Sequence, residues 1–285
     1  MQRDTGAAAE TAAAPTGTRL ARFAIASDPA PLGANDDAGP DLAADLARAI
    51  AQDELSLFFQ PIVDLATGAT AGYEVLLRWF HSAAGQVDPE RIVRLAAKAG
   101  LRHDLTRATL TGAALAAAQW GDPAFVAINV SAGQLADPGL ATTVQAILTQ
   151  TQLPANRLVV EVTEHEPIED TTAACHTISA LRATGVAVAL DDFGQAHANL
   201  AAIKACCFDK LKLDRAFAST GSGRVAAIQQ AAVQLAMELG MHVVAEGLET
   251  VEQVHMARAA GCTHGQGYWF GRPLPASLLM SGHAA

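Results

Sequence analysis

From Asp41 onward two periodicities take turns along the chain, and their order predicts the fold. Residues 41–52 carry apolar side chains at helical spacing. The runs LeuSerLeuPhePheGlnProIleValAspLeu and ThrAlaGlyTyrGluValLeuLeuArgTrp then read as strands around an AlaThrGly turn near Gly68, a hairpin that makes the first strand antiparallel. After Trp79, helical stretches around 90–99, 104–119, 139–150, 170–184 and 223–239 and further shorter ones separate six more strand candidates. These are PheValAlaIleAsnVal, LeuValValGluValThrGlu, ValAlaValAlaLeuAspAsp, AspLysLeuLysLeuAsp, HisValValAlaGluGly and GlyGlnGlyTyrTrpPhe. Strands apolar throughout and separated by helices imply a parallel sheet buried on both faces. Eight candidates predict an α/β fold of the TIM type, a (β/α)8 barrel modified by its antiparallel first strand. No GxGxxG or phosphate-loop glycines follow the first strand, which argues against a doubly wound dinucleotide fold.

Residues 1–40 break the pattern. They are rich in Ala, Pro, Gly, Asp and Thr, with few large apolar side chains, a composition that cannot offset the entropy of ordering. They read as a disordered tail, and residues 41–285 as one domain, since a barrel of about 250 residues fits within the chain of 285.

The formal charge of -10 comes from 19 basic and 29 acidic residues without a basic run, which argues against a groove for a nucleic-acid polymer. No apolar run reaches the ~18 residues of a membrane span, and Asp4 and Glu10 interrupt the N-terminal alanines that would otherwise suggest a signal sequence. A cytoplasmic protein without a membrane partner is expected. Cys175, Cys206, Cys207 and Cys262 show neither CxxC nor zinc-site spacing and read as small buried thiols.

Barrels of this type carry their chemistry at the C-terminal ends of the strands. Those ends hold Glu74, Asn129, Glu161, Asp191 with Asp192, Lys212, Glu246 and Gln266. One acid at a strand end is ordinarily a cap or a solvated loop residue. So many at the same end of successive strands form a mouth lined with oxygen. Adjacent carboxylates repel and are costly to desolvate, so the pair Asp191-Asp192 asks for a cation. Oxygen donors favour Mg2+ or Mn2+ over zinc. Two such ions ~3.5–4 Å apart suit in-line phosphoryl displacement by water.

The runs PhePheGlnProIleValAsp, GluValLeuLeuArgTrp, AsnValSer, GluValThrGlu, AspAspPheGly, LysLeuAsp, AlaGluGlyLeuGluThr and GlnGlyTyrTrpPheGlyArgProLeu, in this order over roughly residues 41–276, resemble the EAL domain, a family of cyclic di-GMP phosphodiesterases. The resemblance implies hydrolysis of cyclic di-GMP (c-di-GMP) to linear pGpG with two Mg2+ or Mn2+ ions, in a homodimer. It implies that Glu74, Asn129, Glu161 and Asp191 hold one ion, and that Asp191 bridges to a second held with Asp192 and Glu246. Lys212 would position or help deprotonate the attacking water, and Gln266 would orient water or substrate. Gln60 and Arg78 match ligand-contacting positions, Glu249 a supporting carboxylate, and Glu164 the acid that anchors the loop after Asp192.

Several positions depart from the family pattern. Val75 stands for the signature alanine, and Ala97 where an acid is common. Residues 195–199 read GlnAlaHisAlaAsn, with Ala196 in place of a glycine and His197 in place of an aromatic. These last changes keep a second reading open, a non-catalytic c-di-GMP receptor or protein-interaction module.

Overall fold

The computed structural model describes residues 41–162, 168, 170–193, 200–218 and 223–279. The tail, Glu164, Ala196 and His197 lie outside the described residues.

Ten strands are formed among the described residues: β1 (Ser56–Asp64), β2 (Thr70–His81), β3 (Gly85–Val87), β4 (Phe125–Val130), β5 (Leu158–Val162), β6 (Ala187–Phe193), β7 (Lys210–Leu213), β8 (His242–Ala245), β9 (His264–Gln266) and β10 (Leu274–Pro275). The helices are α1 (Leu42–Ala51), α2 (Pro89–Lys98), α3 (Arg102–Ala118), α4 (Ala132–Leu135), α5 (Gly139–Thr151), α6 (Thr171–Ala183), α7 (Leu200–Ala205), α8 (Gly223–Glu238), α9 (Val251–Ala260) and α10 (Ala276–Leu279). Strands β2 and β4 to β9 run parallel in sequence order, and β1 closes the ring by pairing antiparallel with both β2 and β9. The result is the expected eight-stranded barrel with an inverted first strand. The short strands β3 and β10 extend it from β2 and β1 and carry no predicted counterpart.

The first hairpin forms because Asp64 folds its own turn. Its Oδ1 accepts from the Ala66 and Thr67 amides at 3.0 and 2.8 Å and from Thr67 Oγ1 at 2.9 Å. That turn fixes the β1–β2 register, in which Gln60 faces Glu74.

Period-two alternation divides the strand side chains between two cores. Val126, Ile128 and Val130 of β4, Val160 and Val162 of β5, and Val188 and Leu190 of β6 face outward into the large core beneath the helices. Ile62, Ala127, Val159, Ala189 and Val244 pack together inside the barrel, with Phe125 and Ala187 against them. Two positions beyond each inward apolar residue comes a polar one: Asn129 after Ala127, Glu161 after Val159, Asp191 after Ala189, Glu246 after Val244. On the inverted β1 the order reverses, with Gln60 before Ile62. An apolar layer thus plugs the barrel directly below a polar one, which lies at the mouth. A separate small core, built from Leu42, Leu46, Trp79, Val87, Ile92 and Leu105, packs α1 and α2 against the far end of β2.

Two sequence expectations are revised. The last barrel strand stops at Gln266 instead of running through Phe270. Gly267 adopts a φ of +157°, and a Cβ there would lie 2.1 Å from the Leu248 carbonyl oxygen, so the chain turns away and leaves Tyr268 and Trp269 exposed. The cysteines are not all free thiols: Cys175 and Cys206 form a disulfide, Cys207 is an exposed thiol and Cys262 a buried one. Among the described residues no helix is long and apolar enough to cross a membrane.

Candidate metal centre

Lys212 organises the polar layer. The strand β7 directs Leu211 and Leu213 outward and the lysine inward, where it is 1% exposed. Its Nζ lies 2.8 Å from Glu246 Oε1, 3.0 Å from Glu161 Oε2 and from Asp191 Oδ1, and 3.5 Å from Glu74 Oε2. An ammonium has three protons, so it cannot bond all four acids, nor can one positive charge neutralise them.

The imbalance shows in the proton affinities. Burial pushes Glu161 well above the usual carboxylate range, raises Asp191, and takes Glu246 to about 8 against the opposing pull of Lys212. Burial works the same way on Glu74. There the charge of Lys212 and hydrogen bonds from Gln266 and Asn129 prevail and hold the carboxyl below its ordinary value. Burial also works against the charge on Lys212, but Asp191, Glu161, Glu246 and Glu74 together raise it well above an ordinary lysine. Without further cations, part of this cluster must hold protons.

Carboxylate oxygens gather in two groups, each within 4.8 Å: Glu74, Glu161 and Asp191 in one, Asp191, Asp192 and Glu246 in the other. Asp191 belongs to both. A regular strand would send Asp191 and Asp192 to opposite faces. Here the β6–β7 register shifts between Leu190 and Phe193, and Asp192 takes a left-handed φ of +57°. This irregularity turns both carboxylates toward one group. The Asp192 amide donates back to Asp191 Oδ1 at 2.9 Å. Glu246 owes its place to the next residue: Gly247, at φ +66°, lies so close to Arg215 that a Cβ would stand 2.3 Å from the arginine's own Cβ.

Within the polar layer two buried amide oxygens have no hydrogen-bond partner among the described residues, Asn129 Oδ1 and Gln266 Oε1. Their orientations follow from the donors beside them. Asn129 Nδ2 donates to Glu74 Oε1 at 2.9 Å, which aims its oxygen the other way. Gln60 Nε2 donates to the Gly271 carbonyl at 3.3 Å, leaving Gln60 Oε1 to accept from Gln266 Nε2 at 3.2 Å. Gln266 Nε2 also donates to Glu74 Oε2 at 2.6 Å. An unsatisfied buried oxygen costs about 1–3 kcal/mol. Asn129, bonded through Nδ2 to Glu74 of the first carboxylate group, adds an unpartnered oxygen to a donor set that suits a hard divalent cation. The residues present therefore fit the two ions expected from the sequence.

Of the predicted residues, Glu74, Asn129, Glu161, Asp191, Lys212, Glu246, Gln266 and Gln60 form one bonded network, and Asp192 shares the second carboxylate group. Arg78 sits further along β2, its Nη1 donating to the Leu77 carbonyl at 2.9 Å and its guanidinium 5.8 Å from the Phe58 ring centroid. Glu249 is not drawn into the network. It is exposed, and its backbone amide donates to Gln253 Oε1 in the cap of α9. Gly271 is the residue that sequence reasoning missed, because its carbonyl acts through backbone alone. The GlyArgPro run next to the last strand marks only a turn there.

Residues 43–273 match the EAL domain. The chain belongs to the EAL domain family. It is 37% identical over 241 residues to an uncharacterized signaling protein of Caulobacter vibrioides, covering 84% of this chain and 30% of that one. It is 35% identical over 235 residues to the cyclic di-GMP phosphodiesterase PA2567 of Pseudomonas aeruginosa, covering 80% of this chain and 40% of the relative. The chain thus spans about a third of the length of the first such relatives, at 30%, 29% and 34%. Among solved EAL structures, the PaMucR phosphodiesterase in complex with c-di-GMP superposes with a TM-score of 0.78 at 34% identity, covering 84% of this chain and all of that one. The EAL domain protein from Listeria monocytogenes EGD-e superposes with a TM-score of 0.76 at 26% identity, covering 88% and 99%.

Proposed function

We propose that this EAL domain hydrolyses c-di-GMP to linear pGpG with two divalent ions, Mg2+ or Mn2+. The observation that carries the reading is the sharing of Asp191 between two carboxylate groups, beside the unpartnered oxygen of Asn129. Glu74, Asn129, Glu161 and Asp191 would hold one ion, and Asp191, Asp192 and Glu246 the other. When bound, two such ions supply the acidity that activates water and the charge that stabilises the oxygens of an in-line displacement.

The chain's own residues do the rest. Lys212, bonded to Glu161, Asp191 and Glu246, fixes the carboxylates and keeps a positive charge beside the attacking oxygen. Gln266 Oε1 accepts a hydrogen bond from the water and so orients its lone pair, since its amide nitrogen is already committed to Glu74 and Gln60. Arg78, further along β2, offers a bidentate donor to a phosphate oxygen. Water oxygen bonds to phosphorus, the bond from phosphorus to the 3'-oxygen breaks, and the proton released by water ends on that leaving oxygen. The apolar plug of Ile62, Ala127, Val159, Ala189 and Val244 closes the site from below. The names of PA2567 and of the PaMucR complex support this choice of substrate.

The test is incubation of purified protein with c-di-GMP and Mg2+ or Mn2+, with Glu74→Ala as control and chromatographic separation of products. Formation of pGpG by the parent protein alone is expected. Binding of c-di-GMP without pGpG under either ion would sink the enzyme reading and leave a receptor.

A further inference from the structure

Helix α6 and the residue after α7 are joined covalently. Cys175 of α6 is bonded to Cys206, the residue following α7, with their Cα atoms 5.0 Å apart. The neighbouring Cys207 is an exposed free thiol. Helix α6 follows β5, the strand of Glu161. Helix α7 stands between β6, which carries Asp191 and Asp192, and β7, which carries Lys212. The cross-link therefore ties together the two connections that join β5, β6 and β7, three of the strands holding the polar layer.

Helix α7 has six residues, too few for a helix to persist on its own, and its described buried side chains are Ala202 and Ile203, so the cross-link adds to a small packed face. The chain beyond it is held separately. Asp209 Oδ2 accepts from the Val188 amide at 2.9 Å, and Asp209 Oδ1 pairs with Arg182 Nε at 2.9 Å. Opening the bond would thus loosen α7 without unpairing β7 from β6. The two cysteines also differ in burial: Cys206 is buried, whereas Cys175 is half-buried.

We propose that Cys175–Cys206 is an exchangeable thiol–disulfide site that takes small thiols and their disulfides, and that its state sets how firmly α7 is held beside the metal centre. A thiolate RS⁻ attacks the Cys175 sulfur, forming a mixed disulfide and releasing the Cys206 thiolate. A second RS⁻ attacks the R-bearing sulfur, forming RSSR and releasing the Cys175 thiolate. Two protons from the medium complete the change, in which the protein bond is reduced and two RSH are oxidised. The reverse uses RSSR as oxidant. Access and thiolate character govern such exchange.

The experiment uses the full chain carrying Cys207→Ser, so that Cys262 is the one other thiol, in glutathione buffers from fully reduced to fully oxidised. Thiols are trapped by alkylation and the peptides weighed, and amide hydrogen exchange is followed in both end states. The bonded fraction is expected to pass from nearly complete to nearly absent within the buffer range, with exchange across Leu200–Cys206 about tenfold faster or more after reduction. Amides of β5 and β7 should hold their rates. Cys206→Ser should exchange like the reduced protein in every buffer, and Cys175→Ser supplies the same comparison from α6 should that variant not fold. Three results would overturn the proposal: a bond that survives the most reducing buffer, two alkylated thiols in the most oxidising one, or equal exchange across α7 in both states. None of these readouts depends on phosphodiesterase activity.

Discussion

Gln60 donates its side-chain amide to the carbonyl of Gly271 at 3.3 Å, and this contact fixes the direction of every amide between it and Glu74. A peptide carbonyl only accepts. Gln60 must therefore offer its oxygen to Gln266, and Gln266 must offer its nitrogen to both Gln60 and Glu74, which frees Gln266 Oε1.

Gln60→Glu keeps the shape but removes the donor, so nothing from position 60 holds the Gly271 carbonyl, and it sets a further carboxylate against Gln266 Nε2 beside Glu74. We expect kcat to fall by about 10–100-fold, in the range found when an outer partner of a metal site is lost. The unsatisfied carbonyl should cost about 1–3 kcal/mol in urea unfolding. An unchanged kcat with the full stability loss would show that the relay is structural only.

Glu74 accepts from Asn129 and Gln266 and lies 3.5 Å from Lys212. Glu74→Ala should lower turnover by at least about 100-fold, the upper end of what outer partners contribute. It should also weaken Mn2+ binding measured calorimetrically. Asp192→Ala should weaken one of two ion-binding steps and spare the other, because Asp192 belongs to one carboxylate group alone.

Lys212→Met leaves Glu74, Glu161, Asp191 and Glu246 facing one another without their counter-charge. Breaking a buried ion cluster from one side costs about 3–5 kcal/mol. That loss is expected in urea unfolding with chelator present. Saturating Mg2+ should recover part of it, since an ion bound only to the folded state adds about 2.7 kcal/mol at 100 times its dissociation constant. Equal loss with and without Mg2+ would contradict the proposed ion positions.

At the opposite end of the barrel, His264 is surrounded by Lys210, His242, Asp64 and the Phe125 ring. Burial, with Lys210 and His242 adding repulsion, pushes its pKa down to about 4 from 6.5. Between these two values the unfolded chain binds a proton that the folded protein refuses, so stability rises with pH across the window and falls on acidification. The urea midpoint should drop between pH 6.5 and 4, and His264→Gln should flatten that slope. The same slope in the variant would remove His264 as its cause.

Alternation and strand-end acids made the barrel and most of the polar layer legible in the sequence, because both follow from local period-two geometry. What stayed hidden depends on contacts across the chain. The direction of the Gln60 amide is set by a carbonyl 211 residues away. The shared role of Asp191 needs the register shift and the left-handed turn at Asp192, which an Asp-Asp pair does not announce. Glu249 resembles the acids of the site in sequence, yet it stands in the capping turn of α9 and faces solvent. Cys175 lies on α6 and Cys206 just beyond α7, at a spacing that belongs to no cysteine motif, so their bond follows only from how these segments pack.

The seam of the barrel has a consequence for how the protein is made. Strand β1 leaves the ribosome well before its partner β9. A nascent chain that ends before His264 carries two unpaired strand edges, on β1 and β8, and lacks the Gln266 amide that grips Glu74. Arrival of that strand therefore hides the adhesive edges and completes the polar layer in one event, and a chain terminated before it is left with an open layer and prone to aggregate.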